Sequence, residues 1–172
     1  MEILIPGLII VALMVYASTK IKRTTAAAFE AETVEADDFV VRKPEGFLHV
    51  LNGDPQYAFE SYSKEFGGSG AENIRRATAT LTITNGSTVK DEAARRLNTG
   101  NQKVDDISEV VNDTKYRLIE TRAEVNDIGY RNLFKLAERN GKAYVFTVTA
   151  LADSDDEQMR AAEALLDGFE LK

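Results

Sequence analysis

The chain of 172 residues contains no cysteine, no tryptophan, three prolines and one histidine. Without cysteine there is no disulfide, no thiolate metal site, no iron–sulfur cluster and no thiol nucleophile. With His49 as its one imidazole the chain cannot build a multi-histidine metal site. A Ser–His–Asp apparatus would have to run through that residue, and no serine lies in a nucleophile-elbow sequence. Positive charge is also scarce. The chain carries 28 acidic and 21 basic residues. Glu2 is the only acid before residue 24, whereas Lys20, Lys22 and Arg23 fall there, so the remainder holds 27 acids against 18 bases, a net charge of −9. A body of that sign lacks the clustered Lys and Arg that a phosphate backbone demands, and no nucleic-acid partner is expected.

One long apolar run is present. From Ile3 to Thr19 there is no charged residue and an abundance of Leu, Ile and Val, as in Ile3, Leu8, Ile9 and Leu13. Counted to Ile21, with Lys20 reaching back to the interface, the run meets the ~17–25 residues that a bilayer-crossing helix needs. A buried core helix would show a polar face, which this segment lacks. A cleaved export signal would open on basic residues rather than Glu2, and Val15-Tyr16-Ala17 is a weak cleavage sequence. Pro6 falls in the first turn, where few backbone bonds are lost, and Tyr16 sits where an interfacial aromatic belongs. The segment therefore reads as a single transmembrane anchor in contact with lipid. The basic flank of Lys20, Lys22 and Arg23 lies on its C-terminal side alone, which predicts an outside N-terminus and a cytoplasmic body.

The organisation expected is an anchor over 1–23, a helical extension or stalk over 24–38, and a folded domain over 39–172. "FVVRKPEGFLHVL" (39–51) is two short apolar runs parted by a Pro-Glu-Gly turn. Residues 57–66 are aromatic and ambiguous between helix and strand. "FGGSGAEN" (66–73) reads as a loop, and "ATATLTIT" (77–84) alternates as a half-buried strand should. Thr88 with Asp91 has the spacing of a capping box ahead of a helix with Val89, Ala93, Ala94 and Leu97 on one stripe, closed by Gly100. Val104, Ile107, Val110 and Val111 are spaced as on a second short helix. Residues 115–125 return to strand character, and 131–151 read as a hairpin about Asn140-Gly141. Ser154 is the expected cap of a last helix that buries Met159, Ala162, Leu165, Leu166 and Phe169, with Gly168 ending it before a short edge strand. The sum is an α+β domain, a mainly antiparallel sheet covered by helices.

The ending "KAYVFTVTALADSDDEQMRAAEALLDGFELK" resembles that of the PsbP-like fold family, which includes photosystem PsbP and Ran-binding Mog proteins: a Tyr-bearing strand, an acidic loop, a helix and a Phe-bearing final strand. "FVVRKPEGFLHV" is similar to the family's opening. The resemblance spans residues 39–172 as a pattern of elements and not as a set of chemical motifs. It implies a sandwich fold without catalysis, serving as an accessory subunit that binds other proteins. By analogy it points to a photosynthetic or respiratory electron-transfer complex. The membrane anchor and cytoplasmic body depart from photosystem PsbP, so a role in water oxidation is not carried over.

Candidate chemistry is thin. Asp153, Asp155, Asp156 and Glu157 are the densest carboxylates, but they sit where a helix begins and complement its dipole. "GGSG" (67–70) lacks the Lys-Ser/Thr that completes a phosphate loop. No cofactor, metal or catalytic residue is expected. The residues chosen for a partner surface are Tyr57, Phe59, Tyr62 and Phe66, with the basic pair Arg75 and Arg76 beside them. The function expected is a non-catalytic scaffold or accessory subunit of a larger membrane complex. The alternative is a membrane-anchored ligand-binding or sensory domain.

Overall fold

The computed structural model describes Met14, residues 26–68 and residues 70–172. The anchor residues Ile3, Leu8, Ile9, Leu13 and Tyr16 and the flank Lys20, Lys22 and Arg23 lie outside the described residues. Among the described residues no helix is long and apolar enough to cross a membrane.

Among the described residues ten strands and two helices follow in the order β1 (Glu32–Glu35), β2 (Phe39–Lys43), β3 (Phe47–His49), β4 (Phe59–Ser63), β5 (Ala77–Asn85), α1 (Val89–Leu97), β6 (Gln102–Val111), β7 (Thr114–Val125), β8 (Ile128–Arg139), β9 (Lys142–Leu151), α2 (Asp156–Asp167) and β10 (Phe169–Leu171). They form a seven-stranded sheet, β3-β4-β5-β9-β8-β7-β6, and a three-stranded sheet, β1-β2-β10. Each strand pairing between them is antiparallel. The result is an α+β fold, a mainly antiparallel sheet with two helices.

The large sheet buries both of its faces over the middle strands, which explains why β9 reads as a nearly unbroken apolar run. Its front face carries Phe59, Leu81, Leu133, Phe146 and Val148 into the main core, where Val41, Leu165 and Phe169 from β2, α2 and β10 meet them. Phe169 stacks on Phe146 at 5.2 Å and meets the edge of Tyr116 at 6.3 Å, so the short last strand is pinned by aromatic contact. On the back face a smaller core joins Ile119, Phe134, Leu136 and Val145 to Ala93 of α1, with Val89 and Leu97 at its margin. The alternation of β5 follows: its alanines and Leu81 face front and its threonines face back.

Several elements differ from the reading of the sequence. Residues 32–35, expected in a stalk or helix extension, form β1 and pair with β2 from Glu32↔Lys43 to Glu35↔Val40. The turn read at Lys43-Pro44-Glu45-Gly46 is present, and it carries the chain from β2 in the small sheet to β3 in the large one. The helix expected from Val104, Ile107, Val110 and Val111 is strand β6. An edge strand is exposed on both faces, and a bulge between Lys103 and Asp105 shifts its parity, so its apolar residues fall at helical intervals by accident. In α1 the buried partner of Ala93 is Glu92, whose carboxylate accepts from Ser87 Oγ at 2.9 Å and Arg95 Nη1 at 2.7 Å; Ala94 is exposed. The cap of α2 is Asp155 rather than Ser154, in a capping box with Gln158.

Gly168 ends α2 for a steric reason. Its φ is −64°, open to any residue, but a Cβ there would stand 2.3 Å from the Arg42 carbonyl oxygen. The bare glycine lets Arg42 N–H donate to the Gly168 carbonyl at 2.9 Å, which starts the β2–β10 pairing.

Candidate functional site: a cleft where two hairpins part

The two-residue turns Asn112-Asp113 and Asn140-Gly141 have φ of 49°, 60°, 53° and 71°, the left-handed pairs that a tight hairpin needs. Both hairpins, β6–β7 and β8–β9, thus end at the same end of the large sheet. The β7–β8 ladder runs up to Tyr116↔Ala137, two residues short of both turns. Around this end of the sheet lies an open cleft of about 970 Å³ whose walls include Lys90, Asp106, Lys115, Arg117, Glu138 and Arg139. It opens to the back face beside the start of α1 and to the front face beside Tyr116, Leu171 and Lys172.

Its fixed parts are well tied. Arg117 donates to both oxygens of Asp106 at 2.8 and 2.9 Å, a two-pronged ion pair. These hydrogen bonds hold the Asp106 carboxyl below the usual range and raise Arg117. Glu138 accepts from Val89 N–H at 3.3 Å and so joins β8 to the start of α1. Tyr116 is buried; its Oη accepts from Leu171 N–H at 2.8 Å, and burial pushes its ionisation upward. Beneath the front face Lys135 is also buried, with its ammonium 4.7 Å from the Tyr116 ring centroid and 3.8 Å from Glu109. Its Nζ donates to the Asp167 carbonyl at the end of α2 at 3.4 Å, and burial lowers its pKa.

The movable parts are cationic. Lys90, Lys115 and Arg139 are exposed and form no ion pair among the described residues. Of the three lining carboxylates, Asp106 and Glu138 are engaged as described. A chain of net charge −7 therefore presents a cleft with unspent positive charge. Such a site can hold an anion; among the described residues it has no nucleophile–base pair and no group of carboxylates or histidine gathered as metal ligands.

The partner surface expected from the sequence separates into pieces. Tyr62, Phe66 and Arg75 do come together: the guanidinium carbon lies 4.4 Å and 3.9 Å from the two ring centroids, and Nη1 donates to the Lys64 carbonyl at 2.8 Å. Those rings are covered by the protein's own cation, although Phe66 remains exposed. Phe59 is not a surface residue; it is 2% exposed, on the core side of β4 against Phe146. Tyr57 is half-buried in the turn before β4, and Arg76 points elsewhere, 3.8 Å from Asp153. His49 stacks on Phe59 at 5.0 Å with Glu32 3.6 Å from its Nδ1. The cleft residues escaped the sequence reading because Lys90, Lys115 and Arg139 belong to three elements. The signal that unites them is the pair of tight turns, which brings both hairpin ends together.

No protein-family model matches the chain, and no curated protein matches it in sequence. Solved structures do match. Cyanobacterial PsbP (CyanoP) from Synechocystis superposes with a TM-score of 0.58 at 12% identity, over 84% of this chain and 94% of its own. LpqN, involved in cell envelope biogenesis of Mycobacterium tuberculosis, gives 0.58 at 14%, over 83% and 91%. The Ran-binding protein Mog1p of Saccharomyces cerevisiae gives 0.53 at 12%, over 83% and 96%. The chain shares the PsbP/Mog1-like fold with them, as its opening and closing segments implied, and at these identities the likeness is one of fold.

Proposed function

We propose that the protein is a non-catalytic docking domain, tethered to a membrane by its N-terminal segment and serving as an accessory subunit of a larger membrane complex from the cytoplasmic side. The observation that carries this reading is the placement of the cleft relative to the point where the chain enters the body. Residues 26–30 lie beside the start of β3: the Phe29 carbonyl accepts from Gly46 N–H at 2.8 Å, and the Glu30 carbonyl accepts from Lys43 Nζ. That is one corner of the large sheet, on the β3 edge. The cleft is at the opposite end, toward the β6 edge. Through the register His49 of β3 is level with Leu133 of β8, so the start of β3 and the cleft end at Arg139 are separated by roughly 26 Å along the strands.

A tether entering at the first corner leaves the cleft facing away from the lipid. Tethering raises the local concentration of such a site for a neighbouring subunit without demanding high affinity. Membership of a photosynthetic or respiratory assembly rests on analogy with the fold of cyanobacterial PsbP alone. The cleft volume of about 970 Å³ supports a second reading, a small-anion binding or sensory domain.

The test is mild detergent extraction of the full chain with a C-terminal tag, then native sizing and mass spectrometry of co-eluting proteins. Co-elution with other membrane subunits in fixed ratio is expected. Elution alone, with a thermal midpoint that rises on adding small anions, would replace docking by the second reading.

A further inference from the structure

We infer that the outer edge of β6 takes an extended segment of a partner polypeptide as an added antiparallel strand, one with basic residues four positions apart and an aliphatic residue midway between them. The inference rests on the docking reading and names the chemistry of the docked part.

The main chain supplies the template. β6 ends the seven-stranded sheet, with β7 on one side and no strand on the other. It has ten residues, against three in β3 at the sheet's other end. The phase of its free groups follows from the turn. Asn112-Asp113 is a two-residue left-handed turn, so Val111↔Thr114 closes the hairpin and exchanges both hydrogen bonds. Glu109↔Tyr116 and Ile107↔Leu118 do the same, and the N–H and C=O groups of Asp106, Ser108 and Val110 point outward. The contact of Asp106 N–H with Asp105 Oδ1 at 2.8 Å agrees with that phase. Among the described residues no main-chain group beyond the sheet's own ladder bonds to Ser108 or Val110. A row left open in this way is what strand addition uses.

The side chains select the added strand. Among the described residues seven large apolar side chains are exposed, and Val104, Ile107 and Val110 of this one strand are three of them. Asp105, Ile107 and Glu109 form a single row on the front face, opposite Glu120, Leu118 and Tyr116. The row reads acid, apolar, acid. Asp105 forms no ion pair among the described residues, and the Glu109 carboxylate lies 3.8 Å from Lys135. Lys or Arg set opposite Asp105 and Glu109, with Val or Ile opposite Ile107, gives two opposite-charge pairs and one apolar pair on the same face.

A second copy of β6 fits less well. The strand carries three acids and one lysine, so self-pairing gathers six acids about two lysines. The antiparallel register that sets Ile107 against Ile107 also sets Asp105 against Glu109 at both ends of the row, and like charges directly opposite are destabilising. The charges that keep two copies apart are the ones that admit a basic strand.

The experiment uses the full chain in detergent micelles and fluorescence anisotropy of labelled peptides. The first peptide is built on Lys-Thr-Val-Thr-Lys, the second has Glu in place of both Lys, and the third is the first with both Thr N-methylated. Binding of the first alone is expected, weakening as salt rises. Ser108→Pro removes an outward N–H that β7 does not use, a change an edge strand tolerates, and should weaken binding at least about tenfold. Asp105→Lys, at an exposed position, should weaken it at least about threefold. Glu124→Lys, exposed near the other end of β7, should leave it unchanged. Far-UV circular dichroism of each variant checks the fold, and Asp105→Lys keeps the test decisive if Ser108→Pro does not fold. No binding of the first peptide, equal binding of the Glu or N-methylated peptide, or indifference to the edge variants would overturn the inference. So would sedimentation showing dimers that Asp105→Lys strengthens, which would make a second copy the occupant. None of these readings depends on a host complex. Co-elution that survives Ser108→Pro would keep the docking reading and move it off this edge.

Discussion

Tyr116 and Leu171 are joined by a single hydrogen bond, Leu171 N–H to Tyr116 Oη at 2.8 Å, made across 55 residues of chain. It is the point where the short last strand meets the wall of the cleft. Tyr116→Phe keeps the ring against Phe169 and leaves a buried N–H without an acceptor. The expected loss of stability is about 1–3 kcal/mol, read as a lower urea midpoint with unchanged slope. An unchanged midpoint would mean that water or a shifted strand end satisfies Leu171.

Gly168→Ala adds one methyl group where the Arg42 backbone carbonyl already stands. Neither partner is a flexible side-chain tip, so β10 must move away from β2. A loss of about 1–3 kcal/mol is expected, in the range of overpacked cores, although alanine is the better helix residue. Thermal unfolding of the two proteins side by side decides it, and an alanine variant as stable as the parent would show that the β2–β10 junction can slide.

Lys135 gives an alkaline prediction. Its folded pKa lies below 10.5 because burial disfavours the charged form. Where the folded protein has begun to lose that proton and the unfolded chain has not, the unfolded state binds more protons, so stability rises with pH. Lys43, also buried with a lowered pKa, adds to the same slope. The window closes near 10.0, where the tyrosines of the unfolded chain begin to ionise ahead of Tyr116 and Tyr144, whose folded values are raised. Lys135→Met should flatten the rise seen by urea titration at successive pH values below that limit. A parallel slope in the variant would contradict the assignment.

Asp106 gives the acid counterpart. Its folded pKa lies below 3.8, chiefly through hydrogen bonding to Arg117. The stability it contributes is present above 3.8 and is lost as pH falls through the folded value. Asp106→Asn should cost less than about 1 kcal/mol near neutrality, solvent screening being considerable at this edge, and should reduce acid sensitivity below pH 3.8. A variant with the parent's acid limb would assign that limb to other carboxylates, such as Asp38 with its Lys142 and Tyr144 partners.

The elements best read from the sequence were those whose pattern is local. The alternation of β5, the capping box of α1, the Asn140-Gly141 hairpin and the apolar stripe of α2 each depend on residues a few positions apart. The elements missed depend on distant partners. β1 is a strand because β2 lies beside it, with no apolar pattern of its own in "ETVE". β6 is a strand because β7 pairs with it throughout. Phe59 and Tyr62 differ by three positions and belong to opposite faces, which no aromatic count reveals. The cleft was the least legible, because its lining is gathered from α1, β6, β7, β8 and β10, which are far apart in the chain.

The tight turns at Asn112-Asp113, Asn126-Asp127 and Asn140-Gly141 link β6 to β9 into one continuous meander. Every strand in it finds its neighbour through a turn of two residues, so half of the wide sheet can zip together with little loop-closure entropy. The small sheet has the contrary character, since Arg42 and Glu170 come together from 128 residues apart. Assembly should therefore run outward from the meander, and pulse-labelled hydrogen exchange should protect amides of β7–β9 before those of β2 and β10. The clasp that brings both ends of the body together closes last. A nascent chain thus holds its C-terminal residues in hand until the wide sheet exists to receive them.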